Sequence, residues 1–177
     1  MLPAIEFGHI LSGMLSETNL PTMEDKIRKL QIAVTLMPQA DGIITEHFFS
    51  GGMYCRKVFR KARTVVIGKV HKADHFFICV TGRIAVSSVD GTRILEPGDV
   101  IESKSGTKRV TFAFVDSIGM TVHRTDNIDL DEIEKELIEP EEFSLFDSNN
   151  QLKSNSDEIV KKMMDKFGMV KKLEVTS

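Results

Sequence analysis

From Ile43 to His123 the chain is cut into runs of five to eight residues rich in Val, Ile, Thr and Phe. Each run closes on a turn signal: Gly51-Gly52, Gly68, Gly82, Asp90-Gly91, Pro97-Gly98, Gly106 and Asp116-Ser117. A helix needs a longer uninterrupted stretch with a 3.6-residue period, whereas a strand is complete in about five or six residues. The middle of the chain is therefore committed to many short strands. Regular short strands between turns close into an all-β barrel or sandwich.

The flanks carry a different period. Between Thr22 and Leu36, the residues Met23, Ile27, Leu30, Ala33 and Val34 recur at helical spacing after a Leu20-Pro21 lead-in, and Pro38 stops the pattern. A second helix is expected over Asn127 to Ile138, with Leu130, Ile133, Glu134 and Leu137 on one side and Asp129 near its N-terminus, where negative charge is favourable. Ser144 to Asn155 is polar and reads as a linker. Ser156 then opens a third helix through Phe167, with Ile159, Val160, Met163, Met164 and Phe167 on one face and Gly168 as its cap. The expected organisation is a helical lead-in over 1–40, a β-barrel over 41–126, an acidic helix packed on it over 127–143, and a linker with an amphipathic helix over 144–177. That last helix must cover its apolar face, on the barrel, on a second subunit or on another partner.

Composition removes several function classes. No apolar run approaches the ~20 residues of a membrane helix. Met1 to Gly13 lacks the basic start and long apolar core of a secretory signal, so a soluble, cytoplasmic protein is expected. Cys55 and Cys79 are too few for a disulfide framework and read as small buried apolar side chains. The net charge of -3 hides an asymmetry: twelve Lys and Arg stand against five acids between Met53 and Arg109, while nine acids stand against one Lys between Asp126 and Glu142. A basic barrel would attract an anionic ligand, or its charges are solvated or matched by the acidic segment. With no Trp and one Tyr there is no aromatic interleaving, which argues against nucleic acid as the main partner. There is no G-x-S-x-G elbow, P-loop or dinucleotide fingerprint.

Two blocks in the β region carry a family resemblance. Gly68-Lys-Val-His71-Lys-Ala-Asp-His75, continuing to Gly82, and Gly98-Asp-Val-Ile-Glu-Ser-Lys104-Ser-Gly106-Thr-Lys-Arg109-Val-Thr-Phe-Ala113 resemble in spacing the two motifs of the cupin superfamily. The resemblance implies a cupin-type double-stranded, jelly-roll-like β-barrel with a central pocket, here with an N-terminal helix and a C-terminal helical extension. Anchored on Gly82, the family's Glu falls on His75, its second His on His71 and its first on Lys69. Anchored on Gly98 and Gly106, its Pro falls on Lys104, its third His on Arg109 and its Asn on Ala113. Three of the four expected metal ligands are thus replaced, two by cations that do not coordinate a divalent metal while protonated. Cupin barrels commonly associate through their sheets, so a homo-oligomer is expected.

Strand side chains alternate between faces. If His71 points inward, so do Lys69, Ile67 and Val65, and on neighbouring strands His75, Phe77 and Cys79, and Thr111 and Ala113 beside Arg109. Of the remaining histidines, His9 has no context, and His47 follows Glu46 on the opposite face. His123, in the strand after Asp116-Ser117, depends on the hairpin register: a three-residue loop sets it beside Arg109, and a two-residue loop sets it outside. Should His71, His75 and His123 converge, a three-histidine zinc or iron site results.

The stretches Glu46 to Arg56, Val66 to Lys72, Ser105 to Arg109 and Val122 to Asp126 are further similar to small cupin-like proteins of tailed bacteriophages and prophages, over roughly residues 40 to 138. This implies a phage origin and a place in the host cytoplasm. The leading expectation is a non-catalytic phage protein without cofactor. Its barrel would hold a small anionic ligand, a nucleotide or sugar phosphate, through Lys69, His71, His75, Arg109 and Thr111, sequestering a host signalling or defence molecule. Two alternatives stand beside it: a metal-dependent enzyme holding one divalent metal on His71, His75 and His123, and a structural module in which the barrel carries the helical tail.

Overall fold

The computed structural model describes residues 22–167. The readings of the chain start, of His9, of the Leu20-Pro21 lead-in and of Gly168 as a cap lie outside the described residues. The first helix, α1 (Met23–Thr35), starts on a reciprocal cap: the Thr22 hydroxyl accepts from the Asp25 amide, and the Asp25 carboxylate accepts from the Thr22 amide. The strands are β1 (Ile44–Ser50), β2 (Met53–Arg60), β3 (Val65–Ile67), β4 (His75–Thr81), β5 (Ile84–Ser88), β6 (Gly91–Leu95), β7 (Val100–Ser103), β8 (Val110–Ala113) and β9 (Ser117–Arg124). Helices α2 (Leu130–Leu137) and α3 (Ser156–Lys166) follow.

The strands form two antiparallel sheets, ordered β1-β2-β9-β4-β7 and β3-β8-β5-β6. Consecutive strands cross repeatedly from one sheet to the other, and the two inner faces enclose a core of Phe77, Cys79, Ile84, Val86, Leu95 and Ile101. This is the expected all-β core, two facing antiparallel sheets that form a barrel with helices at its flanks. Gly82 marks one crossing. It takes φ +80° between β4 and β5, and an added Cβ would lie 2.2 Å from Ser117 Oγ and 2.5 Å from the Asp116 carbonyl oxygen. Only glycine lets the two sheets approach that closely.

Several local expectations change. β8 and β9 do not form a hairpin; the short link at 114–116 carries the chain between sheets, with β8 between β3 and β5 and β9 between β2 and β4. The β5–β6 hairpin pairs Ser88 with Gly91, so its central residues are Val89 and Asp90 rather than Asp90 and Gly91. Inward alternation does not run back from His71, because β3 ends at Ile67. Thr111, which faces inward, pairs with Val66, so Val66 shares the inner face rather than Val65 and Ile67.

The polar stretch after Ser144 is an ordered loop. Phe146 bridges Leu152, the Lys153 amide donates to the Leu145 carbonyl, and Leu145 is buried. The loop delivers α3 onto the body, where Met163 is 1% exposed and Phe167 meets Phe143 edge-on. The acidic segment also meets the barrel's cations: Lys69 pairs with Glu134, and Lys108 with Glu141 at 2.5 Å, all four side chains being largely buried. Among the described residues no helix is long and apolar enough to cross a membrane.

Candidate functional site

One row of inward-facing residues spans the five-stranded sheet. The registers place Phe49 opposite Tyr54, Tyr54 opposite His123, and His75 opposite Ser103, with His75 and His123 on adjacent strands one step beyond the Phe76–Val122 pair. His71 reaches the same row from the loop before β4, where its backbone bridges Ile138 just past α2. The ring centres of His71 and His75 are 4.0 Å apart, His75 and His123 4.6 Å, and His71 and His123 4.9 Å. One nitrogen from each ring lies within 4.8 Å of the others, and all three side chains are buried.

Burial keeps these rings neutral. Desolvation, the neighbouring His75 and the nearby Arg56 guanidinium push His71 down to about 2. Desolvation, His75 and Arg56 push His123 down to about 3. His75 is lowered chiefly by desolvation, partly offset by its Nδ1 contact with the Ala73 carbonyl at 3.3 Å. A carbonyl only accepts, so Nδ1 carries the proton and the His75 Nε2 lone pair is free.

Helix α2 roofs this row. Its apolar stripe, Leu130, Ile133 and Leu137, packs with Ile138 on Tyr54, as its helical period requires. Asp129 caps the helix by accepting from the Asp131 and Glu132 amides at 3.0 Å. Glu134, on the same side, holds Lys69. Between helix and histidines remains a cavity of about 10 Å³, lined by Tyr54, Arg56, His71, His123 and Glu134 among others. That is room for one water or ion. A nucleotide does not fit while α2 is seated.

The structure thus brings His71, His75 and His123 together and distributes the other candidates around them. Lys69 stands at the rim, committed to Glu134. Arg109 donates from Nε to Ser103 Oγ at 2.5 Å and from Nη2 to the Glu102 carbonyl at 3.0 Å, so it closes the β7 side of the row and pairs with neither Asp99 nor Glu102 through a carboxylate. Thr111 lies deeper, accepting from Arg60 Nη1 at 2.6 Å.

Tyr54, Arg56, Arg60 and Thr121 were not singled out from the sequence. Tyr54 shares a hydrogen bond with His47 Nδ1 at 2.8 Å and stacks on His123. Arg60 is 4% exposed with its guanidinium 6.0 Å from the centre of the Phe77 ring, and burial lowers it to about 10. A signal existed: period-2 alternation from Tyr54 places Arg56, Val58 and Arg60 on its face.

No family model matches the chain, and no curated protein matches it. Solved structures do. KdgF from Halomonas sp. is 18% identical, with 51% of this chain and 87% of that one covered at a TM-score of 0.45. Ectoine synthase from P. lautus is 14% identical over 51% of this chain and 70% of its own, TM-score 0.44. A cupin superfamily protein from Desulfitobacterium hafniense is 9% identical over 62% and 94%, TM-score 0.43.

Proposed function

We propose that the protein is a ligand-binding cupin-fold protein that holds a divalent metal on His71, His75 and His123 and takes a small anionic molecule beside it. The observation that carries this reading is the convergence of three buried, neutral imidazoles. Nitrogens within 4.8 Å of one another need to draw in by about an ångström to share an ion at the ~2.0–2.1 Å of a zinc–imidazole bond. Imidazole sets suit zinc, iron, nickel or copper. An ion there supplies a Lewis acid that polarises an oxygen-bearing ligand. The chain's own part is to keep the imidazoles unprotonated, to fix the His75 ring through Ala73, and to exclude bulk water with α2.

The phage resemblance of residues 40 to 138 supports a role in the host cytoplasm, where capture of a small anion would withdraw it from host signalling or defence. The outward-facing Phe48, Phe76 and Val100 of the five-stranded sheet, each 49–51% exposed, support self-association through that face. The test is cobalt titration of the metal-stripped protein, read by visible absorption and elemental analysis. About one ion per chain is expected, lost in His71→Ala/His123→Ala. Failure to retain cobalt, or equal retention in that variant, overturns the metal reading.

A further inference from the structure

Among the described residues, three buried side-chain polar atoms lack a hydrogen-bond partner: Arg56 Nε, Arg60 Nε and Thr121 Oγ1. All three belong to one place. Arg56 and Thr121 are register partners on β2 and β9, one inward step below Tyr54 and His123. Phe77, the partner of Thr121 on β4, carries the Arg60 guanidinium against its ring. Native proteins leave few buried donors unmet, and a cluster of them marks an absent binding partner.

The missing partner has a sign. Arg56 and Arg60 are cations with no carboxylate paired to either among the described residues, and the nearest acid in the cavity wall, Glu134, is taken by Lys69. The imidazoles beside them contribute no negative charge, and a divalent ion on them would add two positive ones. Arg60 is buried and Arg56 half-buried, and positive charge withdrawn from water in this way is stabilised by a counter-charge. The cavity that Arg56 shares with His71 and His123 is about 10 Å³ with α2 seated, so a ligand larger than water reaches Arg56 only when α2 moves off the row. A single planar guanidinium fork suits a carboxylate, which an arginine grips with two parallel hydrogen bonds, better than a phosphate with its four oxygens.

We propose that Arg56 and Thr121, backed by Arg60, form a carboxylate subsite directly beneath the histidine trio, so that the ligand is a small organic acid held by its carboxylate next to the metal. The inference builds on the three-histidine centre proposed above. Arg56 binds the ligand; Arg60, donating to Thr111 and braced on Phe77, supplies field and positions the floor. Lys69 and Arg109 frame the entrance and do not touch the carboxylate.

The test uses acetate and its uncharged isostere acetamide at matched ionic strength, on metal-stripped and zinc-loaded full-length protein. Affinity is read from the saturable rise in thermal midpoint. Acetate is expected to stabilise the wild type where acetamide does not, and Arg56→Met to weaken acetate at least about tenfold. Arg56→Lys, which keeps the charge and loses the fork, should fall between them, and it carries the test if Arg56→Met does not fold. Arg56→Met should also leave the ligand-free midpoint unchanged or raised, since it removes an unpaired buried donor. Equal effects of acetate and acetamide, or full acetate affinity in both variants, overturn the subsite. Zinc binding is measured in parallel: zinc retained with no Arg56-dependent acetate effect removes the subsite alone, and an Arg56-dependent acetate effect in protein that holds no zinc removes the metal centre alone.

Discussion

Acidifying the metal-free protein from pH 7 to pH 5 is expected to cost it about 4 kcal/mol of stability. The cause is the pair His71 and His123, whose folded values lie at about 2 and about 3. Unfolded, each titrates near 6.5. Above that value both states are neutral and the two rings contribute nothing to pH dependence. Below it only the unfolded chain binds protons, so each ring lowers stability by about 1.4 kcal/mol per pH unit until its folded value is reached. Two rings over one and a half units give the figure stated, and a chain of this size should lose roughly 8–16 °C of thermal midpoint. His75 and His47, also lowered by burial, act in the same direction. Carboxylates do not confuse the window, because the unfolded chain protonates them near pH 4. Urea unfolding in steps from pH 7 to pH 5 measures the slope, with His71→Asn/His123→Asn as the comparison. A flat profile in the wild type, or an equal slope in the double variant, would show that the imidazoles are not held neutral and buried. Bound metal should move the loss to lower pH and make it steeper, since protons and metal compete for the same lone pairs.

Two further outcomes follow from packing. Gly82→Ala should cost about 3 kcal/mol, since its Cβ would meet Ser117 Oγ at 2.2 Å in a left-handed backbone; calorimetry showing a loss below about 1 kcal/mol would mean the sheets do not approach there as closely as described. Met163→Ala should cost about 2–5 kcal/mol because Met163 is 1% exposed, and a change within about 0.5 kcal/mol in denaturant titration would show that α3 is not docked.

The site was legible in part. His71 and His75 stood out because motif spacing fixed them, and their burial agrees with the inward alternation read for His75, Phe77 and Cys79. Lys69 and Arg109 were equally well placed by spacing, yet spacing says nothing of partners. Glu134, 65 residues away, claims Lys69, and Ser103 claims Arg109. Arg56 and Arg60 went unmarked because a charge in a strand ordinarily faces water.

What the sequence determined by itself is what short-range chemistry controls. Turn glycines and prolines cut the middle into strands too short for helices, and 3.6-residue stripes with Thr22 and Asp129 as caps fixed α1 and α2. Only the tertiary structure decided which face of each strand looks inward. β9 turns Ser117, Gly119, Thr121 and His123 into the barrel and leaves Ile118, Met120 and Val122 half-buried outside, the reverse of what hydrophobic alternation suggests. The reason is that a period of two defines two faces without choosing between them. The choice for β9 came from pairing with β2 and β4, whose partners lie tens of residues away, and that pairing carried His123 to the other two histidines.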